Sequence, residues 1–306
     1  MKPKTLNHFG LSGGKDSTAL ALWALHESGY SRESILASVC DTGNENEYTY
    51  RYLYWLSRKI GVRFHWIKPP LGFYDLARKK KRFPSTKARF CTTELKIKPT
   101  QVYIESLLQS GFEVLLHSGV RAAESPDRAK YKQRDYSEIY DCDLYLPLLD
   151  WSLSDVWAIH DRYGVPPNPL YGLTETLPWN GERNPFYGDG VMRVGCDPCI
   201  MSRKSELASM ARNRPERIEF LIAQENAVQN VHGFSSFFSR NKVPLSQRSK
   251  AVVTKAGETM LVPTASDVAR WSQTARGGQQ YMLHLPMQTE LIDDAPACSS
   301  KFGLCE

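Results

Sequence analysis

A run of small and charged residues, Ser12-Gly13-Gly14-Lys15-Asp16-Ser17, lies between a short apolar stretch ending near His8-Phe9 and the apolar segment Ser17 to Leu25. The first stretch reads as a strand and the second as a buried helix, so the run is a strand-to-helix turn. In parallel α/β sheets, ligands bind at such turns, outside the carboxyl ends of the strands. Gly13 and Gly14 let the backbone take conformations that bulky residues resist, and let phosphate oxygens approach the chain. Backbone N–H groups at the helix start favour an anion, Lys15 adds positive charge, and the hydroxyls of Ser12 and Ser17 can donate. Asp16 suits a pure phosphate cradle poorly, and suits one that also holds Mg²⁺. The spacing is not the G-x-x-x-x-G-K-[ST] of the Walker A loop. The plainer alternative is a glycine-rich turn whose Ser or Asp caps the helix.

The first half of the chain continues this alternation. Ile35 to Cys40, Val62 to Ile67, Val114 to His117 and Leu144 to Pro147 read as strands, and Tyr48 to Ile60, Val102 to Leu108 and Leu153 to Tyr163 as helices. Such alternation predicts an α/β fold, a parallel twisted sheet with helices on both faces. Beyond Pro166-Pro167 the composition shifts. Gly172 to Gly195 is rich in Gly, Pro, Asn and aromatic residues and reads as an ordered insertion. Ser202 to Met210 and Pro215 to Val228 read as helices, and the pattern weakens from Ser235. The predicted organisation is a nucleotide-binding α/β domain over residues 1–171. The insertion and a mainly helical, irregular C-terminal subdomain fill 172–306.

Of 306 residues, 42% are hydrophobic and 24% charged, which suits a folded globular chain rather than a disordered one. No charged-then-apolar leader and no apolar run near ~20 residues stands out, so a soluble, cytoplasmic protein without membrane contact is expected. The net charge of +6 permits a polyanionic partner without requiring one. The densest basic run, Arg78-Lys79-Lys80-Lys81-Arg82, is either a solvated surface or a phosphate-backbone contact. In a reducing compartment, grouped cysteines point to metal or redox chemistry. Cys196-x-x-Cys199 lets two sulfurs face one centre, but leaves zinc, an iron–sulfur cluster and a redox pair open. Cys40 and Cys142, in apolar strand contexts, read as buried small hydrophobes.

Ser12 to Ser17 resembles the PP-loop of the ATP pyrophosphatases, enzymes that cleave ATP between the α- and β-phosphates. Four later segments resemble the phosphoadenosine phosphosulfate reductase branch of that superfamily. They are Asp41-Thr42-Gly43 with Glu45, Glu47, Thr49 and Tyr50; Arg89 to Pro99; Gly119 to Ser125 with Arg128; and Pro147 through Asp150-Trp151, Asp155-Val156-Trp157 and Asn168 to Tyr171 to Gly195 to Cys199. The order is the family's, over roughly residues 5 to 205. The resemblance implies a Rossmann-like sheet of the PP-loop type. It also places Asp41, Thr42, Gly43, Gly119 and Arg121 with the loop at the nucleotide. Lys15, Asp16 and Arg121 are the candidate catalytic groups, Arg121 as a bidentate phosphate contact. Glu124 would hold that arginine or a metal, and Trp151 and Trp157 read as packing.

In related adenylyl-sulfate reductases a Cys-Cys pair and a later Cys-x-x-Cys hold a 4Fe–4S cluster. Here Cys91 takes the first position of the pair and Thr92 the second. Cys91, Cys196, Cys199, Cys298 and Cys305 are therefore five candidates for four cluster positions. Either one tail cysteine joins the first three, which is preferred, or both tail cysteines join Cys196 and Cys199. Zinc is the alternative occupant. DNA-phosphorothioation sulfur-transfer proteins, which the chain also resembles, carry cluster cysteines in similar places. The reductases alter their loop and end in Glu-Cys-Gly-Leu-His, whereas this chain keeps Lys15-Asp16-Ser17 and ends in Phe302-Gly303-Leu304-Cys305-Glu306. Both departures favour ATP-driven activation of an acceptor, DNA, tRNA or a small molecule, followed by sulfur transfer from a donor protein. ATP, Mg²⁺ and a 4Fe–4S cluster are the implied cofactors. Two further readings are a sulfonucleotide reductase with Cys305 as nucleophile, and a nucleotide- or nucleic-acid-binding component of a DNA modification or defence system.

Overall fold

The computed structural model describes residues 3–228, 233–239, 242–254 and 256–275. Cys298 and Cys305 lie outside this range. The chain runs β1 (Thr5–Gly10), α1 (Lys15–His26), β2 (Ile35–Cys40), α2 (Glu47–Ile60), β3 (Phe64–Ile67) and α3 (Phe73–Lys80). A short α4 (Phe90–Thr92) passes through a π-helical turn at Thr93–Ile97 into α5 (Lys98–Gln109). β4 (Glu113–His117), β5 (Arg134–Ser137), β6 (Cys142–Tyr145) and α6 (Leu153–Arg162) follow. The strand order is β3-β2-β1-β4-β6-β5, parallel except for β5, which pairs antiparallel with β6 at the edge.

Helices cover both faces, as the alternation predicts. α2 shows why the sequence folds so. Thr49, Tyr52, Leu53, Leu56 and Ile60 recur at helical spacing and are buried, Asn46 accepts from Tyr48 N at the start, and Gly61 ends the helix at φ 66°. One face packs Phe9, Leu20, Leu22, Leu56, Val156 and Ile159 into a core between the sheet and α1, α2 and α6. On the other, Ile104 of α5 meets Val114, Leu116 and Leu144. Trp151 packs against the first core, and Trp157 meets Tyr171 edge-on at 5.8 Å, so both serve packing.

The C-terminal part contains α7 (Lys204–Asn213), α8 (Pro215–Ala227), the hairpin β7 (Lys250–Val253) and β8 (Thr259–Val262), and α9 (Ala265–Ser272). Its core is shared with the α/β part, because Phe73 and Leu76 of α3 and Leu95 of the π turn join Leu207, Leu221, Phe237 and Trp271. Buried Glu225 accepts from the N–H groups of Phe237 (2.8 Å) and Ala265 (2.9 Å), tying the later segments to α8. Residues 171 and 172, where a boundary was expected, lie at a close crossing. A Cβ on Gly190 would sit 2.0 Å from the Tyr171 carbonyl oxygen, and one on Gly172 (φ +67°) 2.4 Å from that of Phe186. Among the described residues no helix is long and apolar enough to cross a membrane.

Candidate active site

The chain leaves β1 for β2 and β3 on one side of the sheet and reaches β4 and β6 on the other, so the topological switch falls between β1 and β4. The glycine loop sits there, between β1 and α1, the strand-to-helix turn that the sequence predicts. Gly13 has φ +79°, which favours glycine, and a Cβ on it would press Thr49 Cγ2 at 3.0 Å. The Ser12 hydroxyl lies 3.1 Å from that of Ser17 and accepts from Gly14 N at 3.2 Å. Neighbouring elements hold the loop from behind. Lys15 N donates to the Tyr171 hydroxyl (2.9 Å), His160 Nε2 lies 2.9 Å from the Lys15 carbonyl, and Asn168 Nδ2 donates to the Gly13 carbonyl (3.2 Å).

Asp16 is buried, with its carboxylate 2.8 Å from Lys15 Nζ and accepting from Arg121 Nε at 2.6 Å. Burial alone would raise its pKa, but the two cations outweigh it and hold the carboxyl below its usual range. For Lys15 burial works downward, and the Asp16 carboxylate reverses this and raises the pKa. Arg121 is itself only 1% exposed. Asp16 and Arg121, expected near a metal and a phosphate respectively, are brought together by the fold as a buried ion pair. Glu124 accepts from Arg121 N at 3.0 Å and pairs with buried Arg128, so it supports the arginine's backbone.

Beside Ser12 opens a cleft of about 760 Å³, mouth included, lined among others by His8, Glu45, Tyr50, Lys96 and His117. His8 Nε2 lies 2.9 Å from the Ser38 hydroxyl, and His117 Nε2 3.1 Å from that of Tyr30. Burial, then the charges of His117 and His65, lower the His8 pKa from 6.5 to about 3. Burial, reinforced by Arg134, lowers that of His117 to about 4 against the opposing backbone hydrogen bonds. Both rings fold neutral, so their stabilisation is complete above pH 6.5 and is lost as pH falls, when the unfolded chain binds protons the folded chain does not. From pH 6.5 towards 4 the two together give a slope of up to about 2.7 kcal/mol per pH unit. Urea unfolding across this window is expected to show it, and His8→Gln to flatten it by about half. An unchanged slope in that variant would contradict the assignment.

Asp41-Thr42-Gly43 follows β2 as a tight turn with Gly43 at φ 72°. The Thr42 hydroxyl donates to Glu45 at 2.6 Å, and Tyr50 OH lies 2.5 Å from Asp41 and 3.1 Å from Glu45. The next residues hold the cysteine loop. Asp197 N donates to Asn44 O (2.6 Å), Asn44 Nδ2 to Pro198 O (3.2 Å) and Asn46 Nδ2 to Asp197 (2.9 Å). From α8, Arg217 donates to Asn44 Oδ1 (2.5 Å), Tyr74 OH (3.0 Å) and Asp197 O (2.8 Å), while Arg214 grips the Asp197 carboxylate. Arg217→Ala removes hydrogen bonds from a charged donor, each worth roughly 1.5–3 kcal/mol. Thiol-reagent labelling of Cys196 and Cys199 is expected to accelerate about tenfold or more, since 1.4 kcal/mol of local opening is a factor of ten. Unaltered labelling rates would show that the clamp does not hold the loop.

Cys91, Cys196 and Cys199 line a second, open cavity of about 790 Å³, mouth included, together with Arg89, Lys96 and Arg193. Lys96 and Gly195 line both spaces, so the two adjoin. Cys196 Sγ lies 3.9 Å from the Thr42 hydroxyl, and burial raises its pKa, partly offset by Lys96. Three thiols facing one cation-edged cavity are a donor set suited to an anionic cluster or to zinc. Among the described residues, however, no group of three or more His, Cys, Asp or Glu stands at metal-holding geometry. Cys142 is buried, as expected. Cys40 is not merely packed, since its sulfur lies 3.3 Å from Thr100 Oγ1 and lines the first cleft.

Of the expected nucleotide contacts, Ser12 lines the first cleft and Thr42 the cysteine cavity, while Gly119 is buried after β4. Sequence reasoning missed His8, Tyr140 and Thr100 as cleft residues, for which nothing in the local pattern gave a signal. It also quoted Lys96 without giving it a role. The π turn that aims Lys96 between the cavities, a feature frequent at functional sites, appears only in the fold.

A doubly wound sheet with a glycine loop at its switch point defines the class as a nucleotide-binding α/β protein. Residues 7–202 match the phosphoadenosine phosphosulfate reductase domain, and the chain belongs to that family. It is 32% identical over 354 aligned positions to a 37.8 kDa protein in the gpa 5′ region of Escherichia phage 186, covering 99% of this chain and 97% of that one. It is 30% identical over 82 residues to adenosine 5′-phosphosulfate reductase of Burkholderia cepacia, covering 27% of this chain and 26% of that enzyme. Among solved structures, phosphoadenylyl-sulfate reductase from Candida auris aligns with 54% of this chain and 75% of its own, at 19% identity and a TM-score of 0.40.

Proposed function

We propose that the chain is an ATP-cleaving member of its family that adenylates an acceptor and then replaces the adenylate with sulfur. The observation that carries this reading is the adjacency of the cleft at the glycine loop and the three-cysteine cavity, with Lys96 and Gly195 common to both. The acceptor oxygen attacks the α-phosphorus of ATP, the α–β bridging bond breaks, and pyrophosphate leaves with the electron pair. Hydrosulfide from a donor protein then attacks the activated atom, and AMP departs, with no net oxidation or reduction. Lys15 stabilises the charge developing on the phosphates, and Arg121 acts through Asp16 by fixing Lys15; Mg²⁺ bound with ATP would neutralise phosphate charge there. Cys91, Cys196 and Cys199 would hold a 4Fe–4S cluster, with Cys298 or Cys305 as fourth ligand. Bound there, the cluster would carry sulfur.

The test is AMP and pyrophosphate formation from ATP by anaerobically purified protein with candidate acceptors, alongside iron and sulfide content and visible absorption. Sulfite release from adenylyl sulfate without ATP cleavage would instead mark a sulfonucleotide reductase. A colourless protein containing zinc would remove the cluster.

A further inference from the structure

The basic run beside the cysteine cavity has no part in the chemistry above. α3 ends at Lys80, and Lys81 caps it in the left-handed region at φ 55°. Arg78 to Arg82 and Lys87 are exposed. Two contacts set the run against the helix that carries Cys91. The Arg82 guanidinium carbon lies 5.6 Å over the Phe90 ring, and Lys80 Nζ is 3.8 Å from Glu94. Arg78 is engaged by Asp75 and Gln224. Lys79, Lys81, Arg82 and Lys87 thus form an outer rim, and Arg89, Lys96, Arg193 and Arg203 continue the positive charge along the cavity wall. A helix C-terminus accounts for cations in its last turn, Arg78 to Lys80, but not for Lys81, Arg82 and Lys87 beyond it.

We propose that this rim seats the phosphodiester backbone of a nucleic acid across the mouth of the cysteine cavity, making a nucleic acid the acceptor; the acceptor role rests on the function proposed above. An acidic protein would need apolar surface to bury at the centre of its interface. Here the apolar neighbours Phe83 and Pro84 are themselves buried, so the rim offers charges alone. A phosphodiester chain gains affinity from such charges by counterion release.

The test is fluorescence anisotropy of a labelled single-stranded oligonucleotide and its duplex with the full chain, over a series of salt concentrations. One variant combines Lys79→Glu, Lys81→Glu, Arg82→Glu and Lys87→Glu. A charge-matched control combines Lys4→Glu, Arg58→Glu, Lys59→Glu and Arg63→Glu, all exposed near the amino ends of the strands. Wild type is expected to bind, with log K falling by about 0.7 per phosphate contacted per decade of salt for the single strand, or about 0.9 for the duplex. The rim variant is expected to lose at least about a hundredfold in affinity and two to three contacts' worth of that slope, and the control to stay within about twofold of wild type. Equal losses in both variants, no binding by wild type at low salt, or equal competition by polyglutamate would each overturn the proposal. MgATP binding by the same preparations reports on the glycine loop separately. Its failure with oligonucleotide binding intact would count against the function proposed above, not against the rim.

Discussion

Arg121→Met is expected to destabilise the fold by about 3–5 kcal/mol, the usual cost of removing one partner of a buried ion pair. Asp16 is 1% exposed and accepts from Arg121 Nε at 2.6 Å, so methionine removes a directed hydrogen bond and a charge without opening a path for water. Lys15 remains, but it approaches the other carboxylate oxygen and does not replace the lost donor. Urea unfolding at neutral pH measures the loss. Combining Arg121→Met with Asp16→Asn removes the stranded charge, and is expected to recover much of the stability while leaving ATP turnover low. A single variant as stable as wild type would mean that the pair does not hold the loop. Full activity in the double variant would mean that neither side chain serves the reaction.

Lys15→Ala is expected to lower AMP formation by about 10²–10³, the usual effect of removing one donor that stabilises charge in the transition state. Lys15 is the cation of the loop, and its side chain is 15% exposed where Asp16 is sealed. The same change leaves Asp16 paired with Arg121, so the loss of stability should be smaller than in Arg121→Met. Steady-state AMP formation and urea midpoints measured on both variants separate the roles. A larger stability loss in Lys15→Ala, or turnover close to wild type, would reverse the assignment.

The sheet was legible because its strands are short apolar runs between helices of clear period, as Ile35 to Cys40 and the stripe of α2 illustrate. α3 escaped notice because its last three residues open a run of five cations, which reads as surface rather than as a helix with a buried face formed by Phe73, Tyr74, Leu76 and Ala77. β7, β8 and α9 are only 4, 4 and 8 residues long, too short to show a clear period, and tertiary contacts such as Glu225 with Ala265 N fix them. The glycine loop and the Cys-x-x-Cys pair announced themselves through spacing. The partner of Asp16 did not, since 105 residues separate it from Arg121 and only the sheet brings them together. Their pairing is likewise absent from the local pattern, because the burial that makes each the other's counter-ion is a property of the fold.

The crossing of Gly172 and Gly190 has a consequence for how this architecture can vary. Residues 172–195 return to lie against Tyr171, whose hydroxyl holds the backbone of Lys15. A side chain at Gly190 would run into the Tyr171 carbonyl, and one at Gly172 into the Phe186 carbonyl and the Gly190 backbone. Relatives that keep this insertion should therefore keep a residue without a Cβ at both positions, and relatives that lack one should support the loop by another route. Length and sequence can drift freely at the exposed tip around Asn180 to Glu182, while the base stays pinned to the chemistry by two missing methyl groups.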